Sequence, residues 1–286
     1  MEVIVVIPCL NCELTIGMVI QECQEFIQSI VVIDDGSKDN SASIARLAGA
    51  KVIKIYKNQG VGAALGKGFE YAIANGFNTI ITIDADGAHN PKDIPSLLSE
   101  HSAGSNIITI GNRWHGKYLP SNVPSTKYWA NMFARYLLKR VCGFDIPDVA
   151  CGFRVINNSL ISHSSKIPDF GFLYEMLFIA NKLGNVGFSN IDVRYNADEL
   201  WITKQLEILN LLNSCEKWIN SDNLLKKIKR LESYVMNYET FFILLKSYES
   251  PVTLVAHPLS KYCGYVFQNQ HPFFIDIRHY VELIEI

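Results

Sequence analysis

The chain has 286 residues, a hydrophobic fraction of 49% and a formal net charge of −2 at pH 7. This length allows one large domain or one domain with an appendage, and the apolar content suffices for a buried core. A net charge this close to zero creates no overall field that attracts nucleic acid, so we expect no nucleic-acid partner.

Strands and helices alternate in the first half of the chain. Short apolar runs predict strands, and longer segments with helical spacing predict helices. The predicted strands are Val3–Ile7, Ile30–Ile33, Lys51–Tyr56, Thr79–Ile83 and Ile107–Ile110, and the predicted helices are Thr15–Phe26, Ser41–Leu47, Gly60–Asn75 and Pro91–Glu100. This alternation is typical of a mostly parallel sheet whose strands are connected by helices.

The pattern changes after about Asn112. A loop rich in glycine, proline and aromatic residues comes first and looks like a substrate loop. The segments that follow are a helix, a polar loop, a second helix and a strand, predicted at Tyr128–Val141, Asp145–Arg154, Phe172–Lys182 and Val186–Tyr195.

A second change near Asn196 predicts a domain boundary at about residue 200. Residues 1–200 form the predicted α/β domain, and residues 201–286 form a predicted C-terminal helical and small βαβ region. Within that region we expect a strand at Val252–Val255, a helix at Ser260–Phe267 and a strand at Phe273–Asp276.

Three polar clusters directly follow predicted strands, namely Pro8–Glu13, Asp34–Asp39 and Asp84–His89. In open α/β sheets, ligands bind beyond the carboxyl ends of the strands. The three clusters are far apart in the sequence, but this topology places them on one edge. We therefore expect a binding site there.

Asp84 and Asp86 end the apolar run of the fourth strand, with one residue between them. Residues two apart on a strand project the same way, and close like charges are unfavourable without a cation. Oxygen ligands suit Mg²⁺ or Mn²⁺, and such an ion often completes its shell with phosphate oxygens. The pair therefore predicts a divalent-metal site for a nucleotide or a nucleotide-sugar.

The seven cysteines are odd in number and scattered, and the C-x-x-C pair Cys9 and Cys12 lacks the second pair of a zinc site. We expect reduced, mostly buried thiols, which suit the cytosol. The N-terminus lacks signal-peptide features, and no run of about 18 uncharged apolar residues is present. We expect a cytoplasmic protein without a membrane span, which could act at the inner face of the membrane.

Six segments together resemble family 2 glycosyltransferases with the GT-A fold, close to the polyprenyl-phosphate (dolichyl-phosphate) mannosyl- and glucosyltransferases. These segments are VIPCLN, VVIDDGSKDNS, NQGVGAALGKGFEYAI, IDADGAHNPKDIP, GNRW and DVACGFRVIN, in the expected order over about residues 1–196. The resemblance implies a Rossmann-like, mostly parallel sheet flanked by helices. It also implies an inverting, metal-dependent transfer of a sugar from a nucleotide-sugar to an acceptor such as polyprenyl phosphate or a surface glycan.

The resemblance further implies roles for individual residues. The nucleotide-sugar would contact Pro8, Asn11, Asp34, Asp35, Gly62, Lys67 and Asp84. Mg²⁺ or Mn²⁺ would be held by Asp84 and Asp86, and the residues implied to act in catalysis are Asp86, Arg113, Arg154 and Glu175. The two arginines match positions near phosphate groups, for which planar guanidinium groups are suited. A base, Glu175 or Asp148, would be needed only for a hydroxyl acceptor.

Three positions depart from the family pattern. Leu10 replaces an aromatic residue, Cys12 an acid and Ala88 a glutamine that would help at the metal. These changes motivate an alternative, a nucleotide-sugar-binding protein with weakened or lost turnover. A sugar nucleotidyltransferase is less favoured, because its Gly-rich basic loop should stand where Pro8–Asn11 stand.

The remaining motifs favour structural interpretations. The glycine run at residues 60–68 favours close helix packing over direct phosphate contact. The sequence LVAHPLSKYCGYVF…FFIDIRHYVEL resembles the closing strand–helix–strand of the GT-D fold, for which we favour a structural role. The basic segment Lys226–Arg230 could make a peripheral membrane contact, although a solvated helix face is favoured. The sequence does not indicate the oligomeric state.

Overall fold

The structure is a computed structural model. It describes residues 2–115, 131, 135, 139, 145–162 and 171–194, together with the backbone of residues 252–256 and 263–267. The chain divides into two compact units. The first contains the α/β sheet, and the second contains residues 252–256 and 263–267. The predicted boundary near residue 200 lies outside the described residues and stays a prediction.

The described elements follow one another in a βα pattern. The strands are β1 (Val3–Cys9), β2 (Ile30–Asp34), β3 (Lys51–Lys54), β4 (Thr79–Thr82), β5 (Asn106–Asn112), β6 (Arg154–Asn157), β7 (Asn185–Asn190), β8 (Val252–Ala256) and β9 (Cys263–Phe267). The helices are α1 (Ile16–Gln24), α2 (Ser41–Leu47), α3 (Val61–Ala74), α4 (Ile94–Ala103), α5 (Asn158–Ile161) and α6 (Gly171–Leu183), and a short 3₁₀ turn at Pro91–Asp93 precedes α4.

Seven of the described strands form one mixed sheet in the order β3-β2-β1-β4-β6-β5-β7. The neighbouring pairs β1–β2, β2–β3, β1–β4 and β5–β7 are parallel. The chain runs outward from β1 to β3 and then returns to place β4 on the other side of β1. Strand order therefore reverses between β1 and β4, and open α/β sheets bind ligands at such a reversal.

Strand β6 runs antiparallel to both of its neighbours, β4 and β5. Its first residue, Arg154, lies opposite Thr82, the last residue of β4. The loop that precedes β6 therefore reaches the edge at which β4 ends. The sequence predicted a mostly parallel sheet, which the structure confirms, but it did not indicate this antiparallel strand.

Strands β1 and β2 contribute to the core, because almost all of their residues are apolar and buried. Helix α3 packs closely against them at Gly68, where an added Cβ would lie 2.2 Å from Val6 Cγ1. The glycine run thus allows close helix packing, as the sequence predicted. Helix α3 ends at Ala74. Gly76 follows shortly after it with a φ of +81°, which suits a residue without a side chain.

Most predicted elements of the first half are confirmed, with ends that differ by no more than two residues. The segment at Pro91 differs more, because a 3₁₀ turn capped by the Asn90 side chain precedes α4. Of the predicted helix Tyr128–Val141, only Asn131, Arg135 and Lys139 are described, and each is helical. The predicted helical part of the C-terminal region and the basic segment Lys226–Arg230 lie outside the described residues.

The predicted helix Ser260–Phe267 is wrong over its second half. Cys263–Phe267 forms strand β9, which pairs antiparallel with β8 rather than joining a βαβ unit. The physical reason lies in Tyr265, Val266 and Phe267, because aromatic and β-branched residues favour strands. The predicted strand Phe273–Asp276 lies outside the described residues.

In the part of the chain that the structure describes, every helix is too short or too polar to cross a membrane.

We predict that Gly68→Ala lowers the free energy of unfolding by about 1–3 kcal/mol, because the new methyl group overlaps Val6. Gly66→Ala is the matched control, since no atom lies within 4 Å of its added Cβ. Alanine should stabilise the helix there by up to about 1 kcal/mol. Urea denaturation of both variants measures the difference, and equal stabilities would contradict the packing argument.

Candidate active site

The loops that follow β1 and β2 are joined by hydrogen bonds at the carboxyl edge of the sheet. The backbone N–H of Asn11 donates to Ser37 Oγ at 2.9 Å, and its side-chain Oδ1 accepts from the N–H of Lys38 at 2.9 Å. The N–H of Cys12 donates to Ser41 Oγ at 2.8 Å. Asn11 adopts a φ of +54°, which asparagine tolerates better than most residues.

The loop after β4 joins the same edge. Thr15 Oγ1, at the start of α1, donates to the carbonyl oxygen of Ala85 at 2.7 Å. Ala85 stands between Asp84 and Asp86, so this bond fixes the backbone of the acidic pair next to the first loop. The three polar clusters are therefore together, as the sequence predicted.

Asp84 and Asp86 are both half-buried. The Asp84 side chain is 42% exposed, and its Oδ2 lies 3.4 Å from Nε2 of the buried His89. Asp86 Oδ1 accepts from the N–H of Ala88 at 2.9 Å, across a turn in which Gly87 has a φ of +76°. The Asp84 side chain thus reaches solvent at the edge where the three loops meet, and the half-buried Asp86 lies at the same edge.

Residues 2–115, 145–162 and 171–194 contain no group of three or more His, Cys, Asp or Glu side chains arranged to hold a metal ion. Asp84 and Asp86 nevertheless provide carboxylate oxygens, which suit Mg²⁺ or Mn²⁺. Such ions are often held by one or two carboxylates and by the phosphate oxygens of a substrate. The donor set therefore fits an ion that arrives with a diphosphate.

Asp34 and Asp35 are buried at the end of β2. Asp35 accepts hydrogen bonds from the N–H groups of Gln59 and Gly60, both at 2.9 Å, and so fixes the start of α3. Asp34 Oδ1 accepts from the N–H of Ser37 at 3.0 Å, and Oδ2 lies 3.7 Å from Lys54 Nζ. Asp34 Oδ2 has no hydrogen-bond partner among the described residues.

Three more residues with an implied nucleotide role lie on β1 and α3. Pro8 is half-buried near the end of β1, opposite Ile33. Gly62 is buried in the first turn of α3. Lys67 is exposed further along α3, where its ammonium group pairs with Glu70 at 2.8 Å. The structure thus brings Pro8 to the edge and pairs Lys67 on the helix surface.

Arg113 is buried and forms a two-point ion pair with the buried Asp148. Its Nε and Nη2 donate to the two carboxylate oxygens at 2.6 and 2.9 Å. The N–H of Arg113 also donates to Asp148 Oδ2 at 3.2 Å. The guanidinium group lies 5.3 Å from the ring centre of Trp114. The Arg113 side chain therefore does not lie on the surface, and its hydrogen bonds fix the Asp148 carboxylate.

Arg154 is fully buried and organises the loop before β6. Its guanidinium group donates to the carbonyl oxygens of Cys151 at 2.7 Å, Leu173 at 2.6 Å and Val149 at 3.1 Å. Glu175 follows Leu173 in α6 and is also fully buried. These contacts join α6 to the loop, and the implied catalytic roles of Arg154 and Glu175 stay predictions.

The sequence did not single out Gly152, which lies directly against the acidic pair. An added Cβ at Gly152 would lie 2.8 Å from both carboxylate oxygens of Asp84. His89 lies beside Asp84, while Asn90 caps the 3₁₀ turn. The antiparallel direction of β6 would have signalled the Gly152 contact, but a single sequence does not show it.

This sheet and its acidic edge define an α/β protein of the GT-A glycosyltransferase type. A solved structure with this fold is glucosyl-3-phosphoglycerate synthase from Mycobacterium tuberculosis in complex with Mn²⁺, UDP-glucose and phosphoglyceric acid. The two structures superpose with a TM-score of 0.61 at 20% identity, over 74% of this chain and 79% of that one.

The sequence model of glycosyl transferase family 2 matches residues 4–164, and the chain belongs to this family. It is therefore a glycosyltransferase. Polyprenol monophosphomannose synthase from Mycolicibacterium smegmatis is 28% identical over 212 residues, which cover 68% of this chain and 76% of that protein. The uncharacterized protein MJ1222 of Methanocaldococcus jannaschii is 33% identical over 157 residues, which cover 54% of this chain and 65% of that protein.

We predict that Asp148→Asn lowers the free energy of unfolding by about 3–5 kcal/mol, because it removes the buried negative charge that accepts two hydrogen bonds from the Arg113 guanidinium group. Glu70→Gln breaks the exposed pair with Lys67 and should cost less than about 1 kcal/mol. Urea denaturation compares the two variants. A cost for Asp148→Asn as small as that of the surface variant would contradict the buried ion pair.

Among the four described thiols, we expect Cys12 to react first with iodoacetamide. A hydrogen bond with Cys9 lowers the pKa of Cys12, and the same bond, with burial, raises the pKa of Cys9. Burial raises the pKa of Cys23 and of Cys151 to about 12. Because the thiolate is the nucleophile, Cys12 should be alkylated at a pH below the ordinary thiol pKa of about 8.5.

Peptide mass spectrometry after brief alkylation at a series of pH values measures this order. Cys12→Ser is the control and should remove the fast-reacting site. Equal labelling of Cys12 and Cys23 at neutral pH would contradict the assignment.

Proposed function

We propose that this glycosyltransferase is metal-dependent and inverting, and that it transfers a sugar from a nucleotide-sugar to polyprenyl phosphate. The observation that carries the proposal is the meeting of three loops at the reversal of strand order. There the half-buried Asp84 and Asp86 lie next to the loops of Asn11 and Asp34. Two relatives or neighbours support the substrate classes: one is a polyprenol monophosphomannose synthase, and the other was crystallised with UDP-glucose and Mn²⁺.

The donor would lie across the reversal between β1 and β4. Asp34, Asp35 and Pro8 would line the nucleoside part, and Asp84 and Asp86 would hold the divalent ion. When bound, that ion would neutralise the charge that develops on the departing nucleoside diphosphate. An oxygen of the acceptor phosphate forms the new bond to the anomeric carbon. The bond from this carbon to the diphosphate oxygen breaks, and the diphosphate leaves with the electron pair.

Two buried carboxylates favour a phosphate acceptor over a hydroxyl acceptor. A hydroxyl group must lose a proton to a base, and the candidates on sequence grounds are Glu175 and Asp148. Both are fully buried, and Asp148 is held by Arg113. A phosphate acceptor arrives as an anion and needs no strong base. The chemistry of the described residues therefore agrees with polyprenyl phosphate better than with a glycan hydroxyl.

A thermal-shift screen with UDP, GDP, UDP-glucose and GDP-mannose, each with and without Mn²⁺, tests the donor part. A ligand that binds only the folded state raises the apparent stability according to its affinity. The stabilising nucleotide-sugar is then incubated with undecaprenyl phosphate or with a glycan acceptor, and nucleoside diphosphate release is measured. Release with the lipid phosphate supports the proposal, and release only with the glycan overturns the acceptor assignment.

Asp86→Ala should lower Mn²⁺-dependent release of nucleoside diphosphate at least about 100-fold, because a metal clamp on the leaving group contributes several kcal/mol. Glu100→Gln, on the exposed surface of α4, serves as the control and should keep full turnover. Unchanged turnover in Asp86→Ala would refute the metal role. Donor binding by the unaltered protein without release on any acceptor would favour the alternative of a nucleotide-sugar-binding protein.

A further inference from the structure

The loop before β6 is fixed to the end of β4 next to the acidic pair. Thr82 Oγ1 donates to the carbonyl oxygen of Gly152 at 2.7 Å, and Thr82 lies opposite Arg154 in the antiparallel register. Arg154 in turn holds the carbonyl oxygens of Cys151 and Val149. The backbone at Gly152 therefore has little freedom to move relative to the strand that carries Asp84.

The Asp84 carboxylate occupies the space that a side chain at position 152 would need. An added Cβ would lie 2.8 Å from Oδ1 and from Oδ2 of Asp84, and 3.1 Å from its Cγ. Such distances are shorter than normal van der Waals contact. Unlike Gly87, Gly152 has no positive φ, so space and not backbone conformation requires glycine here.

His89 provides a second contact to the same carboxylate. Its Nε2 lies 3.4 Å from Asp84 Oδ2, and its ring centre lies 5.5 Å from that of Phe153, the residue after Gly152. The backbone of His89 forms an antiparallel bridge with Val193, which fixes the backbone at this residue. Residues 152 and 153 thus contact Asp84 both directly and through His89.

We propose that Gly152 and His89 are positioning residues that hold the Asp84 carboxylate in the orientation needed to bind a divalent cation with a nucleoside diphosphate. This inference rests on the proposed metal dependence, and it names two residues that would hold the metal-binding carboxylate in place. Orientation matters here because Ala88 has no side-chain oxygen to contribute. A methyl group at position 152 must displace Asp84, since the loop behind it is fixed by Thr82 and Arg154.

Gly152→Ala tests the inference through cation binding. Mn²⁺ is titrated by electron paramagnetic resonance in the presence of UDP or GDP, whichever stabilises the unaltered protein. We expect Mn²⁺ affinity to fall at least about tenfold in Gly152→Ala. We also expect binding of the nucleotide without metal to stay within about twofold, and the spectrum of the bound Mn²⁺ to change.

Two glycine variants separate positioning from simple loss of packing. Gly66→Ala meets no atom within 4 Å and should bind Mn²⁺ normally. Gly68→Ala meets Val6 Cγ1 at 2.2 Å and Ile33 Cγ1 at 3.4 Å, so it strains the core between α3 and the sheet, away from the loop of Gly152. It should lower the melting temperature while keeping Mn²⁺ affinity within about twofold. Equal loss of affinity in Gly68→Ala and Gly152→Ala would overturn the inference.

His89→Gln keeps the test decisive if Gly152→Ala does not fold. It removes the ring beside Asp84 and should weaken Mn²⁺ binding about three- to tenfold while the protein still binds the nucleotide. Normal Mn²⁺ affinity in the folded variants overturns the positioning roles and leaves the proposed function intact. Absence of Mn²⁺-dependent nucleotide binding in the unaltered protein overturns the metal dependence and the positioning roles together.

Discussion

The antiparallel pairing of β6 with β4 is the constraint on which the candidate site depends. Because the two strands run in opposite directions, the chain enters β6 at the edge where β4 ends. The hydrogen bond from Thr82 to Gly152 therefore joins residues 70 positions apart in the sequence at the acidic pair. A parallel strand in this place would have carried the loop before it to the opposite edge of the sheet.

Buried arginines make this loop rigid. A loop packed inside a protein contains carbonyl groups that no sheet or helix satisfies, and each one left without a partner is costly. Arg154 solves this problem by donating to Val149 and Cys151 in the loop, and it also donates to Leu173 of α6. Arg113 holds the other end of the loop through Asp148. The arginines that the family resemblance implied near phosphate groups thus also form the support behind the acidic edge.

The sequence predicted the first half of the fold well, because its strands and helices differ clearly in apolar spacing. It could not predict the direction of β6, since a four-residue strand with only two apolar residues carries no sign of how it pairs. The same ambiguity explains why Cys263–Phe267 was expected to be helical. At the site, strand ends placed Asp84 and Asp86 correctly at one edge. The partners of Arg113 and Arg154 depend on loop folding, which no local pattern encodes.

The carboxylates of this edge differ in what a ligand would have to displace. Asp35 accepts from two backbone N–H groups, and Asp148 accepts from a buried guanidinium group. Either could bind a ligand fully only by giving up bonds that fix a loop, at a cost comparable to leaving a buried charge unpaired. Asp84 and Asp86 are only half-buried, and the Asp84 side chain is 42% exposed. The acids of this edge therefore differ in their surroundings, because Asp35 and Asp148 are buried and hold loops in place, whereas Asp84 and Asp86 lie nearer the surface.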